Sequence, residues 1–270
     1  MKIVELNTKP VGQIAFLNAE RRPNQFYQDT LDVYHGRLAH LPDSLDAVVV
    51  TADLQGRELP GTQKHSPPDG LRLLGEIMPD LLVEYLEAVG VTSNANVAAI
   101  LAGDFYTYPD LRGRGGTGDV TAVWQAFADA YQWVVGVAGN HDTFGDRSKP
   151  FTRTNAMFLD GQRKEIAGWK FAGMSGVIGN TKKNYRRTHE DFLVTLDDLI
   201  TPPTDVLVMH DGPSGRLAGC RGIEEALDIV ETRCPSMVIR GHCHWPTPWV
   251  EVQNGVQILN VDQTVVVLTR

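Results

Sequence analysis

Asn140, His141 and Asp142 stand side by side behind Gly139, directly after the apolar run 133–138. An amide oxygen, an imidazole and a carboxylate crowded into consecutive positions are costly to bury unless a charge holds them. The pattern recurs four more times. Run 47–51 leads to Asp53 and Gln55, and run 97–102 to Gly103 and Asp104. Run 205–209 leads to His210 and Asp211, and run 237–240 to Gly241, His242, Cys243 and His244. Pooled, Asp53, Gln55, Asp104, Asn140, His210, His242 and His244 make a mixed nitrogen and oxygen donor set, with His141 beside it. Such a set suits Mn²⁺, Zn²⁺ or Fe and excludes a thiolate-rich structural zinc. Seven ligands exceed what one transition metal takes, and two ions sharing a carboxylate match the count. Asp53 and Gln55 are two apart, as are His242 and His244. An extended segment would turn both members of each pair to one side.

These ligands need elements that bring them to one place. Each apolar run has the length and composition of a buried strand. The carboxyl edge of such strands is where α/β proteins bind ligands. Between the runs, the periodicity predicts helices over 25–41, over 70–89 with Asp69 as its cap and a kink at Pro79, over 119–131, over 190–200 and over 223–233. Residues 12–17 and 169–174 read as strands, and 143–168 as loop-rich. Asn254-Gly255 between apolar runs signals a hairpin.

Several residues have bland readings. His35, His40 and His65 read as surface or packing histidines, and Cys243 as core-facing. The glycine-rich stretch 112–118 lacks the Gly-Lys-Ser/Thr of a nucleotide loop and reads as a loop beside the site. Its Arg112 and Arg114, and Lys182 and Arg186 of the basic loop 176–188, are candidates for contact with a substrate phosphate, against simple solvation.

Composition bounds the rest. A chain of 270 residues, 42% hydrophobic and 21% charged, is ordinary for a globular enzyme in one domain, with 1–46 a candidate N-terminal extension packed on it. A net charge of −8 argues against general polyanion binding. No apolar stretch approaches the roughly 18 residues of a membrane span. The amino terminus lacks a signal-peptide pattern. Three cysteines, an odd and sparse set, predict reduced thiols and a cytoplasmic protein.

The ordered series Asp-x-Gln, Gly-Asp, Gly-Asn-His-Asp, His, Gly-His-x-His resembles the calcineurin-like metallophosphoesterase superfamily over residues 47–262. Run 208–213 resembles that family's histidine-then-Gly-Pro turn. The resemblance implies a four-layer αββα sandwich of two mixed β-sheets flanked by helices. It also implies two divalent ions, Mn²⁺ first, with Zn²⁺, Fe or Mg²⁺ as alternatives. Asp53, Gln55, Asp104 and His244 would hold one ion, and Asp104, Asn140, His210 and His242 the other. Gln55 departs from the family's usual histidine. A carboxamide is a harder and weaker donor, which predicts looser binding and a preference for Mn²⁺ or Mg²⁺ over Zn²⁺. The implied activity is hydrolysis of a phosphomonoester, phosphodiester or nucleotide pyrophosphate by a hydroxide bridging the ions, with His141 as general acid and Asp142 orienting it. The expected partner is a small phosphorylated substrate. Two other readings are a nuclease or nucleic-acid end-processing phosphatase using 182–187, and a non-catalytic metal-binding scaffold for protein partners. The sequence does not give the oligomeric state.

Overall fold

The computed structural model describes residues 1–22, 25–59, 70–145 and 153–270. In chain order its elements begin with β1 (Ile3–Leu6), β2 (Gly12–Ala19), β3 (Phe26–Leu38), β4 (Ala47–Ala52), α1 (Leu74–Leu81), α2 (Val83–Ala88) and β5 (Val97–Leu101). There follow β6 (Gly118–Asp119), α3 (Thr121–Ala130), β7 (Trp133–Gly136), β8 (Asp142–Thr143), β9 (Ala156–Phe158), β10 (Gln162–Ile166) and β11 (Trp169–Met174). Then come β12 (Val177–Ile178), β13 (Arg186–Arg187), α4 (His189–Ile200), β14 (Val206–Met209), α5 (Glu224–Arg233) and β15 (Met237–Arg240). The series closes with β16 (Trp249–Glu251), β17 (Gln257–Asn260) and β18 (Thr264–Thr269).

Two mixed sheets face each other. The first runs β1-β3-β18-β4-β5-β7-β9, with β2 added to β3, and the second runs β10-β11-β14-β15-β17-β16. β4, β5 and β7 are mutually parallel, as are β14, β15 and β17. Apart from Thr51, Arg240, Gln257 and Asn260 their residues are apolar, because both faces are covered. In β4, Val48 and Val50 point between the sheets, whereas Val49 joins Leu74, Ile77, Trp124 and Phe127 of α1 and α3. In β14, Val206 and Val208 enter the inter-sheet core, whereas Leu207 and Met209 meet Phe192, Leu196 and Leu227 of α4 and α5. Helix, sheet, sheet and helix thus stack in four layers, the αββα sandwich expected. Among the described residues no helix is long and apolar enough to cross a membrane.

Three sequence expectations need correction. Residues 25–41 are not a helix but contain β3. Leu31 and Val33 are buried while Thr30 is exposed, the two-residue period of a strand with one covered face. The spacing of Phe26, Leu31, Tyr34 and Leu38 imitates a helical stripe. Residues 1–46 accordingly enter the first sheet: β3 pairs with β1 and β2 on one side and with β18 on the other. Finally, the stretch 143–168 is less loop-like than expected, since it carries β9 and β10.

The helix expected over 70–89 begins at Leu74 and breaks at Leu82 between α1 and α2, with Pro79 inside α1. The Glu76 carboxylate accepts from the Leu73 N–H at 3.0 Å at its start. Asp69 and His65 lie outside the described residues. Asp119 is not the cap expected: the N-cap of α3 is Val120, and Asp119, one residue earlier in β6, accepts from the Thr121 N–H at 2.8 Å. β16 and β17 form the antiparallel hairpin around Asn254-Gly255.

Candidate metal centre

The carboxyl ends of β4, β5, β7, β14 and β15 deliver Asp53, Asp104, Asn140, His210 and His242. Right after three of these strands the backbone turns sharply. Asp53, Asp104 and His242 have φ of 56°, 59° and 68°, the left-handed region that non-glycine residues rarely occupy. Each such residue costs about 1–3 kcal/mol and persists only where its surroundings hold it. The holding bonds are visible. Asp53 N–H donates to the Gly103 carbonyl at 2.8 Å, and His242 N–H donates to Asp53 Oδ2 at 2.9 Å. His141 N–H donates to Asp104 Oδ1 at 2.8 Å. A Cβ on Gly139 would fall 1.9 Å from Asp104 Oδ1, and one on Gly241 2.3 Å from Asp53 Oδ2. Those two glycines let the ligand-bearing loops close on each other.

At the centre, one ligand atom each from Asp104, His210 and His242 lie within 4.8 Å of one another. His210 is fully buried, and its Nδ1 donates to the Ala102 carbonyl at 2.9 Å. That bond leaves Nε2 directed at Asp104 Oδ2, 3.2 Å away, without the alignment of a hydrogen bond. The His242 ring lies 4.9 Å from the His210 ring, edge to face. Asn140 Oδ1 is also buried without a hydrogen-bond partner. Buried polar atoms are nearly always paired, so these two orphans, on the loops after β7 and β14, call for an external partner. A divalent cation fits: an amide oxygen, an imidazole nitrogen and a carboxylate are its donors, and a backbone carbonyl fixes the His210 tautomer.

Electrostatics agree with that fit. Burial drives the Asp53 carboxyl well above the usual range, and the neighbouring Asp262 and Asp104 add to the rise against the pull of His210. Burial also opposes charge on Asp104, but His210 and His141 outweigh it and hold its carboxyl low. For His210, burial is overcome by Asp104 and Asp53, which raise it to about 10. Burial and the charged His210 push His242 down to about 4. In the absence of a cation these carboxylates favour a proton on His210, which a bound ion would displace.

The family model of the calcineurin-like phosphoesterases matches residues 47–246. The chain belongs to that family. Among solved structures, TT1561 of Thermus thermophilus shares the fold of this phosphoesterase-family chain. Its TM-score is 0.52 at 14% identity, over 82% of this chain and 91% of that one. Vps29 of Entamoeba histolytica, solved with zinc, matches with a TM-score of 0.36 at 13% identity, over 80% of this chain and 73% of that one. No curated protein matches the sequence.

The remaining residues singled out from sequence fall into place unevenly. Gln55 lines the cavity at the centre, its Nε2 donating to Asp104 Oδ2 at 3.4 Å. His141 lines it too, with Nδ1 donating to the Gly116 carbonyl at 2.9 Å. Asp142 does not orient His141. Its fully buried carboxylate accepts instead from the N–H groups of Asp104 and Gly139 on Oδ2, at 2.8 and 2.9 Å, and of Phe105 on Oδ1, at 2.8 Å. Burial, reinforced by Asp104, raises its carboxyl to about 6. It clamps the β5 and β7 loops together.

His244 does not join the cluster. Its side chain is 79% exposed, with Nδ1 3.6 Å from Asp262 Oδ2. The expectation for 242 and 244 assumes an extended segment. Here His242 is left-handed and Cys243 N–H donates back to the Gly241 carbonyl at 2.9 Å, so the chain turns and the two side chains part. The same turn leaves Cys243 half-buried rather than core-facing.

Arg114 lines the cavity, with Nε on the Ala19 carbonyl at 2.8 Å and Nη2 on the Tyr27 hydroxyl at 2.7 Å. Arg112 instead stacks on Tyr108, 4.1 Å from the ring centre. Lys182 is exposed, and Arg186 lines a separate cavity with Phe158, Lys183 and Tyr185.

Sequence reasoning misses several contributors. Phe16 and Asn18 of β2 wall the cavity, as does Asp262. Asp262 follows the carboxyl end of β17, as the candidate ligands follow their strands. Arg240 reads from sequence only as strand. Fully buried, it donates to the carbonyls of Gly212, Pro213, Arg221 and Gly241 and so ties the His210 loop to the His242 loop.

Proposed function

We propose that the chain is a divalent-metal-dependent phosphoric ester hydrolase acting on a small phosphorylated substrate. The observation that carries this reading is the pair of orphaned buried atoms, Asn140 Oδ1 and His210 Nε2, on neighbouring ligand loops, the second directed at Asp104. Asp104, Asn140, His210 and His242 would hold one ion, and Asp53 and Gln55 a second, with Asp104 shared between them. Bound there, divalent ions would lower the pKa of a water and neutralise charge on the phosphoryl oxygens.

The chain's own residues supply the rest. His141 Nδ1 is engaged by a carbonyl, so Nε2 is the atom at which a proton is held or moved, and His141 faces the cavity. This suits protonation of the leaving oxygen. The fixed guanidinium of Arg114 on the cavity wall favours an anionic substrate. The cavity, about 240 Å³, is smaller than the roughly 300–1,000 Å³ of drug-sized ligand sites and suits a compact phosphorylated group.

The test is a screen of phosphomonoester, phosphodiester and pyrophosphate substrates with chelated protein, before and after Mn²⁺, Mg²⁺ or Zn²⁺ is added back. Turnover should vanish on chelation and return most strongly with Mn²⁺. Protein that binds its ions yet turns over none of the esters would favour the scaffold reading.

His141→Ala should lower kcat by about 10²–10⁴-fold, the usual worth of general acid help. Metal content should be unchanged, because the bond from residue 141 to Asp104 is made by the backbone N–H and survives the substitution. Elemental analysis of the variant beside its kinetics checks both halves.

A further inference from the structure

We infer that Asp262 is an oxygen ligand of the second ion, in the position that the family pattern gives to His244. The inference rests on the metal-dependent reading above.

Asp262 shares a cavity wall with Asp53, Gln55 and Asp104. Its backbone bridges to Ala52, the residue before Asp53, which fixes it beside the first ligand strand. Its side chain is only 16% exposed, yet among the described residues its carboxylate accepts no hydrogen bond. His244 Nδ1, 3.6 Å away, is too far to donate one. A mostly buried carboxylate without a donor needs a counter-charge from elsewhere.

The neighbourhood makes that need sharper. Asp53, Asp104 and Asp262 converge on one cavity. His210 Nε2, buried and orphaned, is directed at the same Asp104. Three carboxylates around one space, with the Arg114 guanidinium held back on its wall by Ala19 and Tyr27, match a site for a bound cation.

Gln55 completes the argument. It replaces an imidazole by a weaker amide donor, so the second ion loses strength on one side. His244, largely in solvent, does not line the cavity. Asp53, Asp104 and Asp262 then present oxygen, and the amide oxygen is the one donor that Gln55 could add. The first ion keeps two imidazoles, whereas the second sits in a hard, anionic set that selects Mn²⁺ or Mg²⁺ over Zn²⁺.

The experiment counts ions rather than turnover. Purified protein is chelated and titrated with Mn²⁺ by calorimetry, and bound metal is counted after equilibrium dialysis. Wild-type protein should hold two ions. Asp262→Asn should lose the weaker ion or bind it at least tenfold more weakly, while Asp262→Glu, which keeps the charge, should retain it. His244→Ala should hold both. Thermal melts of the metal-free proteins identify any variant that fails to fold, and the Glu variant then carries the comparison with His244→Ala.

Asp262→Asn with two ions at wild-type affinity would overturn the inference and leave the hydrolase reading intact. Loss of the same ion from His244→Ala as from Asp262→Asn would also overturn it, since Asp262 would then act only by positioning His244. Wild-type protein that takes up no ion would sink the hydrolase reading itself.

Discussion

Asp104→Asn is expected to empty the centre and to lower kcat/KM by at least about 10³-fold, roughly 4 kcal/mol of transition-state stabilisation. The reason is the number of groups that meet at one carboxylate. Oδ1 accepts from His141 N–H at 2.8 Å. Oδ2 faces His210 Nε2 at 3.2 Å, Gln55 Nε2 at 3.4 Å and His141 Nε2 at 4.0 Å. An amide keeps the shape but removes the charge that both ions would share. It also leaves the buried His210 with less to hold its proton, so the metal-free protein should weaken as well. Loss of one partner from a buried ion pair typically costs about 3–5 kcal/mol. Elemental analysis and steady-state kinetics of the variant test the claim. Normal metal content would show that Asp104 is not the shared ligand.

Asp142→Ala should destabilise the metal-free protein by about 3–5 kcal/mol, because three buried N–H groups lose their acceptor at about 1–3 kcal/mol each. The sum is held down because the ionised carboxylate is itself unfavourable there, as its raised pKa of about 6 records. Asp142→Asn keeps one acceptor oxygen and should lose about half as much. Urea denaturation of the metal-free proteins measures both. A loss under about 1 kcal/mol for the alanine variant would mean that the two loops are held by something other than this clamp.

What is legible in the sequence follows from which physical signals are local. The parallel strands announce themselves because both faces are covered, so 47–50, 97–101 and 206–209 read as apolar without interruption. The turns behind the ligand strands put Asp53, Asp104, Asn140, His210 and His242 at one edge, and the glycines before Asp104, Asn140 and His242 are visible as letters. β3 is not legible. Only one of its faces is apolar, and polar Asp29, Asp32 and His35 break the run that would have marked it. Asp142 misleads by adjacency: a carboxylate beside an imidazole suggests a pair, but the two side chains leave the loop in different directions. His244 fails for a related reason, since alternation holds only in extended backbone and residues 241–243 turn. Asp262 is readable in principle, but Asn260 interrupts the run before it.

The order of the first sheet has a consequence for how the protein comes into being. β18 lies between β3, to which it is parallel, and β4, to which it is antiparallel. A nascent chain can pair β4, β5 and β7 early, but the amino-terminal hairpin has no berth until residues 264–269 have emerged. Arg114 leans on that hairpin through Ala19 and Tyr27. One flank of the cleft should therefore assemble after the other, and proteolytic loss of 264–269 would set the hairpin adrift while sparing the five ligand strands.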